Sequence, residues 1–201
     1  MGLDKNLIII DIETSGTNPD TASIIQLGAI RFDLENFKVD IDNCFDEYVI
    51  PYTEEWTEES FKVHHISKET LLAKGWIIKD VLHLFKAWFN NPDNYYIAQW
   101  SCGFDVRFLQ KAYEISGLKY PFSYRSFDIA SFVRLYLFAL GKLKRKKNGL
   151  SECAKLLGLN LESLSIHNAL DDAKLTALVF AQVVEDIRKV QTNIKSLGEI
   201  L

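Results

Sequence analysis

Cysteine is scarce in this 201-residue chain: Cys44, Cys102 and Cys153 are an odd number, and no two share a Cys-x-x-Cys spacing. That counts against a disulfide framework and leads to the expectation of a reducing compartment. An excess of positive charge is also missing. The formal net charge is −4, from 23 Lys and Arg against 27 Asp and Glu. A protein that coats nucleic acid by bulk charge is thereby disfavoured, although a local basic patch or a carboxylate-rich metal site remains open. No apolar run reaches the length needed to span a bilayer. The start, "MGLDKNLIIIDIE", has too short an apolar run for a signal peptide, and its sixth residue is not the Ser or Thr of a myristoylation pattern. A cytoplasmic protein without membrane attachment is the expectation. No internal repeat and no Pro/Gly/Ser-rich linker interrupts the chain. What is present is a core-forming composition, 48% apolar and 25% charged, at the length of one domain. Residues 1–190 are therefore expected to form a single domain, with 191–201 as a C-terminal tail.

The apolar periodicity changes along the chain. "LIIIDIET" (7–14) is a short β-branched run that reads as a buried strand ending in charge. "SIIQLGAIRF" (23–32) reads as a second strand and "VDIDNCFDEYVI" (39–50) contains a third, reached through the turn "DLENFK". Helical spacing then sets in at Ile77, Val81, Leu84, Phe85 and Trp88. A strand at 94–100, a helix at 104–117 ending at Gly117, a short strand at 123–129 and a helix at 130–140 follow. A short helix stops at Gly158, and a long amphipathic helix runs from about Leu170 to Arg188. Three antiparallel strands followed by alternating helices and strands predict an α/β fold, a mixed sheet flanked by helices.

Three places put acids where strands and helices meet. In "IIIDIET", Asp11 and Glu13 lie two apart and so project from the same face of a strand. Burying that pair is costly unless a cation offsets it, and oxygen ligands suit Mg²⁺ or Mn²⁺. The plainer reading sets both acids past the strand end in solvent. In "SIHNALDDA", Asn168 is placed to cap the last helix, with Asp171 and Asp172 in its first turn. His167 falls just before the helix, within reach of the Asp172 carboxylate. It is either a structural histidine or a general base for water. In "WSCGFDVRFL", Asp105 follows a strand and a glycine, as an N-cap or as a ligand at a strand end.

Taken in order, these segments resemble the DnaQ-like exonucleases, the DEDDh branch of the RNase H-like superfamily. Asp-x-Glu matches Asp11 and Glu13, aromatic-Asp matches Phe104 and Asp105, and His-x₄-Asp matches His167 and Asp172. "VHHISKETL" is similar to the family's His-Gly-Ile-Thr segment, with His64 in the His position, and "SFDIASFVR" to its Asp-Thr-x-x-Leu corner at Asp128. The likeness runs from about Leu7 to Val184. It implies an RNase H-like mixed sheet and a 3′–5′ exonuclease that releases nucleoside 5′-monophosphates from single-stranded 3′ ends. It also implies two Mg²⁺ or Mn²⁺ ions, about 3.5–4 Å apart. Asp11 would bridge both ions, Glu13 and Asp172 would complete one site, Asp105 would serve the other, and His167 would take the proton of the attacking water. The family's usual His-Asn is replaced by Trp100-Ser101. This is similar to the RNA-directed Eri and KapD branch and tilts the expectation toward RNA over DNA. It also admits a second reading, a catalytically weak member that binds nucleic acid or a partner. The usual Gly after His64 is replaced by His65. A homodimer fits the resemblance.

Candidate substrate contacts are Thr14, His64, Ile66 and Phe104, the last two equally readable as core. The basic run "GKLKRKKNG" is a further candidate, with Lys142, Lys144, Arg145, Lys146 and Lys147 within six residues. Such a run is either a phosphate contact, a solvated loop or a localisation signal.

Overall fold

The computed structural model describes residues 5–100, 103–143, 148–161 and 167–198, the last eight of these as backbone. Its order is β1 (Asn6–Thr14), β2 (Ile24–Asp33), β3 (Lys38–Tyr48), α1 (Glu58–His64), α2 (Lys68–Lys74), α3 (Ile78–Phe89), β4 (Tyr95–Gln99), α4 (Phe104–Ile115), β5 (Ser126–Asp128), α5 (Ile129–Ala139), α6 (Leu150–Leu156) and α7 (Ala169–Gly198). The strands form one sheet in the order β3-β2-β1-β4-β5. β1 to β3 pair antiparallel, and β4 and β5 join in parallel. The mixed α/β sheet expected from the sequence is therefore the sheet observed.

The unbroken apolar run of β1 has a direct cause, since helices cover both faces of the sheet. Ile8, Ile10 and Ile12 enter one core with Val81, Phe85 and Phe89 of α3 and Phe108 and Leu109 of α4. Leu7 and Ile9 enter the other with Ile129 and Val133 of α5 and Ala173, Leu175 and Val179 of α7. Strand alternation carries this second set on to Asp11 and Glu13, so the two acids emerge on the α7 side at the C-terminal end of β1.

Helix ends follow local chemistry. Gly117 sits at φ 66°, its N–H donates to Glu114 O and that of Leu118 to Tyr113 O. This is the left-handed stop anticipated from its position. Gly158 ends α6 the same way. Two helices, α1 and α2, were not anticipated. Each is only seven residues long, too short for a periodic apolar pattern, and stands on a side-chain cap: Thr57 accepts from Ser60 N–H and Ser67 from Thr70 N–H. At the other end of the chain, α7 continues past Arg188 to Gly198, so helical backbone occupies most of the segment expected to be a tail.

Candidate active site

Three elements converge at the C-terminal end of β1. The strand supplies Asp11, half-buried, and Glu13, which is 8% exposed. Asp105 comes from the first turn of α4, on the opposite side of the sheet. It is buried, and its Oδ1 accepts the Ile12 N–H at 3.3 Å. The N-cap of α4 is Gly103, so Asp105 lies inside the first turn, where its carboxylate accepts its own N–H and also reaches across to the strand that holds the other two acids. Gln99, at the end of β4, fixes that turn, its Oε1 accepting the Val106 N–H at 3.1 Å.

The third element is the start of α7. Asn168 caps it, with Oδ1 accepting the Asp171 N–H at 3.2 Å and the backbone carbonyl accepting the Asp172 N–H at 2.9 Å. Asp171 turns to Lys174 at 3.6 Å. Asp172 turns inward and accepts the His167 N–H on Oδ2 at 3.0 Å. His167 is exposed and held at φ 66°, a conformation uncommon for a side-chain-bearing residue. Ligand atoms of Glu13, His167 and Asp172 all lie within 4.8 Å of one another, although 153 residues of sequence separate Glu13 from His167.

Two residues that the sequence analysis passed over make this meeting possible. Gly28 of β2 lies directly opposite Asp11 in the strand register, and a Cβ there would stand only 2.5 Å from the Ala169 carbonyl oxygen. The first turn of α7 therefore rests on bare strand backbone. A glycine inside "IIQLGAIRF" is itself a sign of such close approach. Gln26, opposite Glu13, accepts the Ala169 N–H on Oε1 at 3.2 Å and donates from Nε2 to Asp46 Oδ1 at 2.8 Å.

The electrostatics identify what the cluster needs. Burial, followed by Asp105, Asp172 and Glu13, drives the Asp11 carboxyl well above its ordinary range. Burial, then Asp172 and Asp105, pushes Glu13 up to about 8. Burial raises Asp105 to about 7 against the pull of the N–H groups it accepts, and burial raises Asp172 despite His167. No lysine or arginine among the described residues features among the causes of these four shifts. Four carboxylates raised by burial, two of them also by others of the four, with an imidazole alongside, form an oxygen-rich donor set suited to a hard divalent cation.

Of the other candidates, Thr14 is buried and donates from Oγ to the Gly16 carbonyl at 2.7 Å. His64 is buried against Trp56 and Phe61, and its Nδ1 accepts the Ile66 N–H at 2.9 Å. Burial and His65 lower its pKa to about 4, so the ring is neutral with its proton on Nε2. Ile66 packs with Ile25 and Leu71, and Phe104 packs against Phe108 at the rim of the α3–α4 core. The strand-to-helix corner at Asp128 is an N-cap, accepting the Ser131 N–H at 3.0 Å. Trp100 packs into the α5–α7 core under the Arg134 guanidinium, and its carbonyl accepts the Ala130 N–H. Lys144, Arg145, Lys146, Lys147 and Ser101 lie outside the described residues.

Comparison with known proteins places this arrangement in context. An exonuclease family model, RNase_T, matches residues 8–180. The DNA polymerase III PolC-type protein of Thermotoga petrophila is 30% identical over 200 residues, 98% of this chain and 13% of that protein. The corresponding Staphylococcus epidermidis protein is 27% identical over 94% of the chain and 12% of its own length. The chain thus spans about an eighth of these relatives. Among solved structures, cell-death related nuclease 4 aligns with a TM-score of 0.76 at 18% identity, covering 90% of this chain and 64% of that one. The nuclease domain of 3′hExo, a DEDDh family member bound to rAMP, aligns at 0.73 and 19%, covering 92% and 94%. An Escherichia coli ExoI–ssDNA complex aligns at 0.76 and 20%, covering 96% and 43%. These structural likenesses are likenesses of fold.

Proposed function

The chain belongs to the exonuclease family, whose members are metal-dependent nucleases, and from that premise we propose that it hydrolyses single-stranded nucleic acid stepwise from the 3′ end to nucleoside 5′-monophosphates. The observation that carries the proposal is the convergence of Glu13, His167 and Asp172 within 4.8 Å, beside Asp11 and Asp105. Asp11, Glu13, Asp105 and Asp172 are the residues that would hold a pair of Mg²⁺ or Mn²⁺ ions. Such ions, when bound, offset the charge that develops on the phosphate oxygens and lower the pKa of water. The chain's own work is to hold those carboxylates in place and to accept a proton. His167, exposed at the edge of the cluster, takes it from the attacking water. Its backbone N–H, donated to Asp172, holds this stretch of chain beside the cluster. The neutral His64 keeps a buried Nε2–H that has no partner among the described residues, on the segment that resembles the family's His-Gly-Ile-Thr motif. Phe104, only partly buried, flanks the terminal nucleotide, and the basic run 144–147 supplies phosphate contacts.

Two indications of the polymer point apart. Trp100-Ser101 tilts toward RNA, but the Trp100 ring is committed to packing under Arg134 and has no obvious way to read a 2′-hydroxyl. The relatives at 27–30% identity over nearly the whole chain are DNA polymerases, which favours DNA. We therefore read single-stranded DNA as the preferred substrate. Incubation of end-labelled single-stranded DNA and RNA with Mg²⁺, with Mn²⁺ and with a chelator tests both points. A ladder shortening from the 3′ end, faster on DNA and abolished by chelation, is expected. Endonucleolytic cuts or chelator-resistant cleavage would overturn the mechanism, and faster degradation of RNA would overturn the choice of polymer.

A further inference from the structure

We propose that Gln26 is a positioning residue for the metal site, acting through the backbone of α7 and touching neither cation nor substrate. The proposal rests on the metal-dependent reading above. Gln26 is fully buried and is the register partner of Glu13, on the same face of the sheet. Its carbonyl oxygen accepts the N–H of Ala169, the first residue of α7. Helix N-termini leave such N–H groups without an intrahelical partner. The Asp171 N–H is met from within by Asn168, whereas Ala169 is met from the sheet. The bond therefore ties the strand pair that carries Glu13 to the turn that carries Asp172, and these are two of the three groups that converge within 4.8 Å.

The side chain has to be an amide. Its Nε2 donates to Asp46 of β3 at 2.8 Å, which leaves the oxygen facing α7. A glutamate in this place would set one carboxylate against another. A leucine would strand the buried Ala169 N–H without an acceptor, while the exposed Asp46 oxygen would turn to water. Gln99 stands in the same relation to α4 and Asp105, its oxygen accepting the Val106 N–H. Each helix that delivers an acid to the cluster is thus met at its start by a buried glutamine from the sheet.

The test compares wild type, Gln26→Leu, Gln26→Glu, and Gln26→Glu combined with Asp46→Asn, each as the full chain. Mn²⁺ affinity is read by calorimetry and turnover is resolved into kcat and KM. In the double variant an acceptor again faces α7, and the bond between positions 26 and 46 is restored with its direction reversed, position 46 now donating. Both single variants should bind Mn²⁺ about tenfold or more weakly and lose kcat with little change in KM, as supporting partners of metal ligands do. The double variant should recover most of that loss. A folded Gln26→Leu with wild-type Mn²⁺ affinity and kcat would overturn the role. So would a double variant no better than Gln26→Glu, a comparison that stands even if the leucine variant does not fold. Hydrogen exchange in the ¹⁵N-labelled wild type needs no variant: the Ala169 amide should be protected, and fast exchange would also overturn the proposal. Absence of Mn²⁺ binding to wild type would instead remove the metal reading itself.

Discussion

Replacing Gly28 by alanine should damage catalysis far more than one methyl group in a strand would suggest. The added Cβ would lie 2.5 Å from the Ala169 carbonyl oxygen, where ordinary contact begins at 3.4 Å, a shortfall of 0.9 Å. The Ala169 carbonyl carbon and the Leu170 nitrogen stand closer still. All three obstacles are backbone atoms of α7, so no rotamer change relieves the clash. The backbone at Gly28 is not in the left-handed region, so the effect is one of space and not of conformation. The first turn of α7 must lift by about an ångström, and it carries Asp172 and the approach to His167. A misplacement of about 1 Å typically costs on the order of a hundredfold in rate. Overpacking of this kind costs about 1–3 kcal/mol in stability. Steady-state hydrolysis of an end-labelled single-stranded oligonucleotide at saturating Mn²⁺, with a thermal melt of the same sample, measures both. The expected result is a kcat about two orders of magnitude down, a lower Tm and a nearly unchanged KM. A Gly28→Ala protein with wild-type kcat would refute the claim that contact between α7 and bare strand backbone sets the site.

Asp11→Asn should reduce turnover to background yet raise the Tm of the chelated protein, because it removes one of the clustered acids that repel one another; a lower Tm in chelator would contradict the repulsion. In chelator the stability should also fall with pH. Glu13 titrates near 4.5 unperturbed and near 8 when folded, so the folded chain retains a proton that the unfolded chain releases. Stability is then complete below about pH 4.5 and is lost as pH rises toward 8. Melts across that range should show a declining Tm that Mn²⁺ flattens by displacing the proton, and a pH-independent Tm in chelator would count against it. Replacing Lys144, Arg145, Lys146 and Lys147 with serine should shallow the dependence of substrate affinity on salt, measured by fluorescence anisotropy; an unchanged slope would make the run a solvated loop.

Much of this molecule is written in short-range pattern. The β-branched run of β1, the helical spacing of α3 and the glycines that end α4 and α6 are local facts, legible because strand and helix periods and left-handed stops depend on neighbouring residues. The spacing of Asp11 and Glu13 fixed their shared face, and Asn168 announced the start of α7. The short helices α1 and α2 lacked enough turns to show a period. Tertiary structure alone decided that Asp105 reaches back to Ile12 from the first turn of α4. It also decided that Trp100 belongs to a core. Above all it decided the seat of α7 on Gly28 and Gln26, which brings His167 and Asp172 to Glu13. Those contacts join residues more than a hundred positions apart, and no local pattern encodes a distance that only the packing of a helix onto a sheet defines.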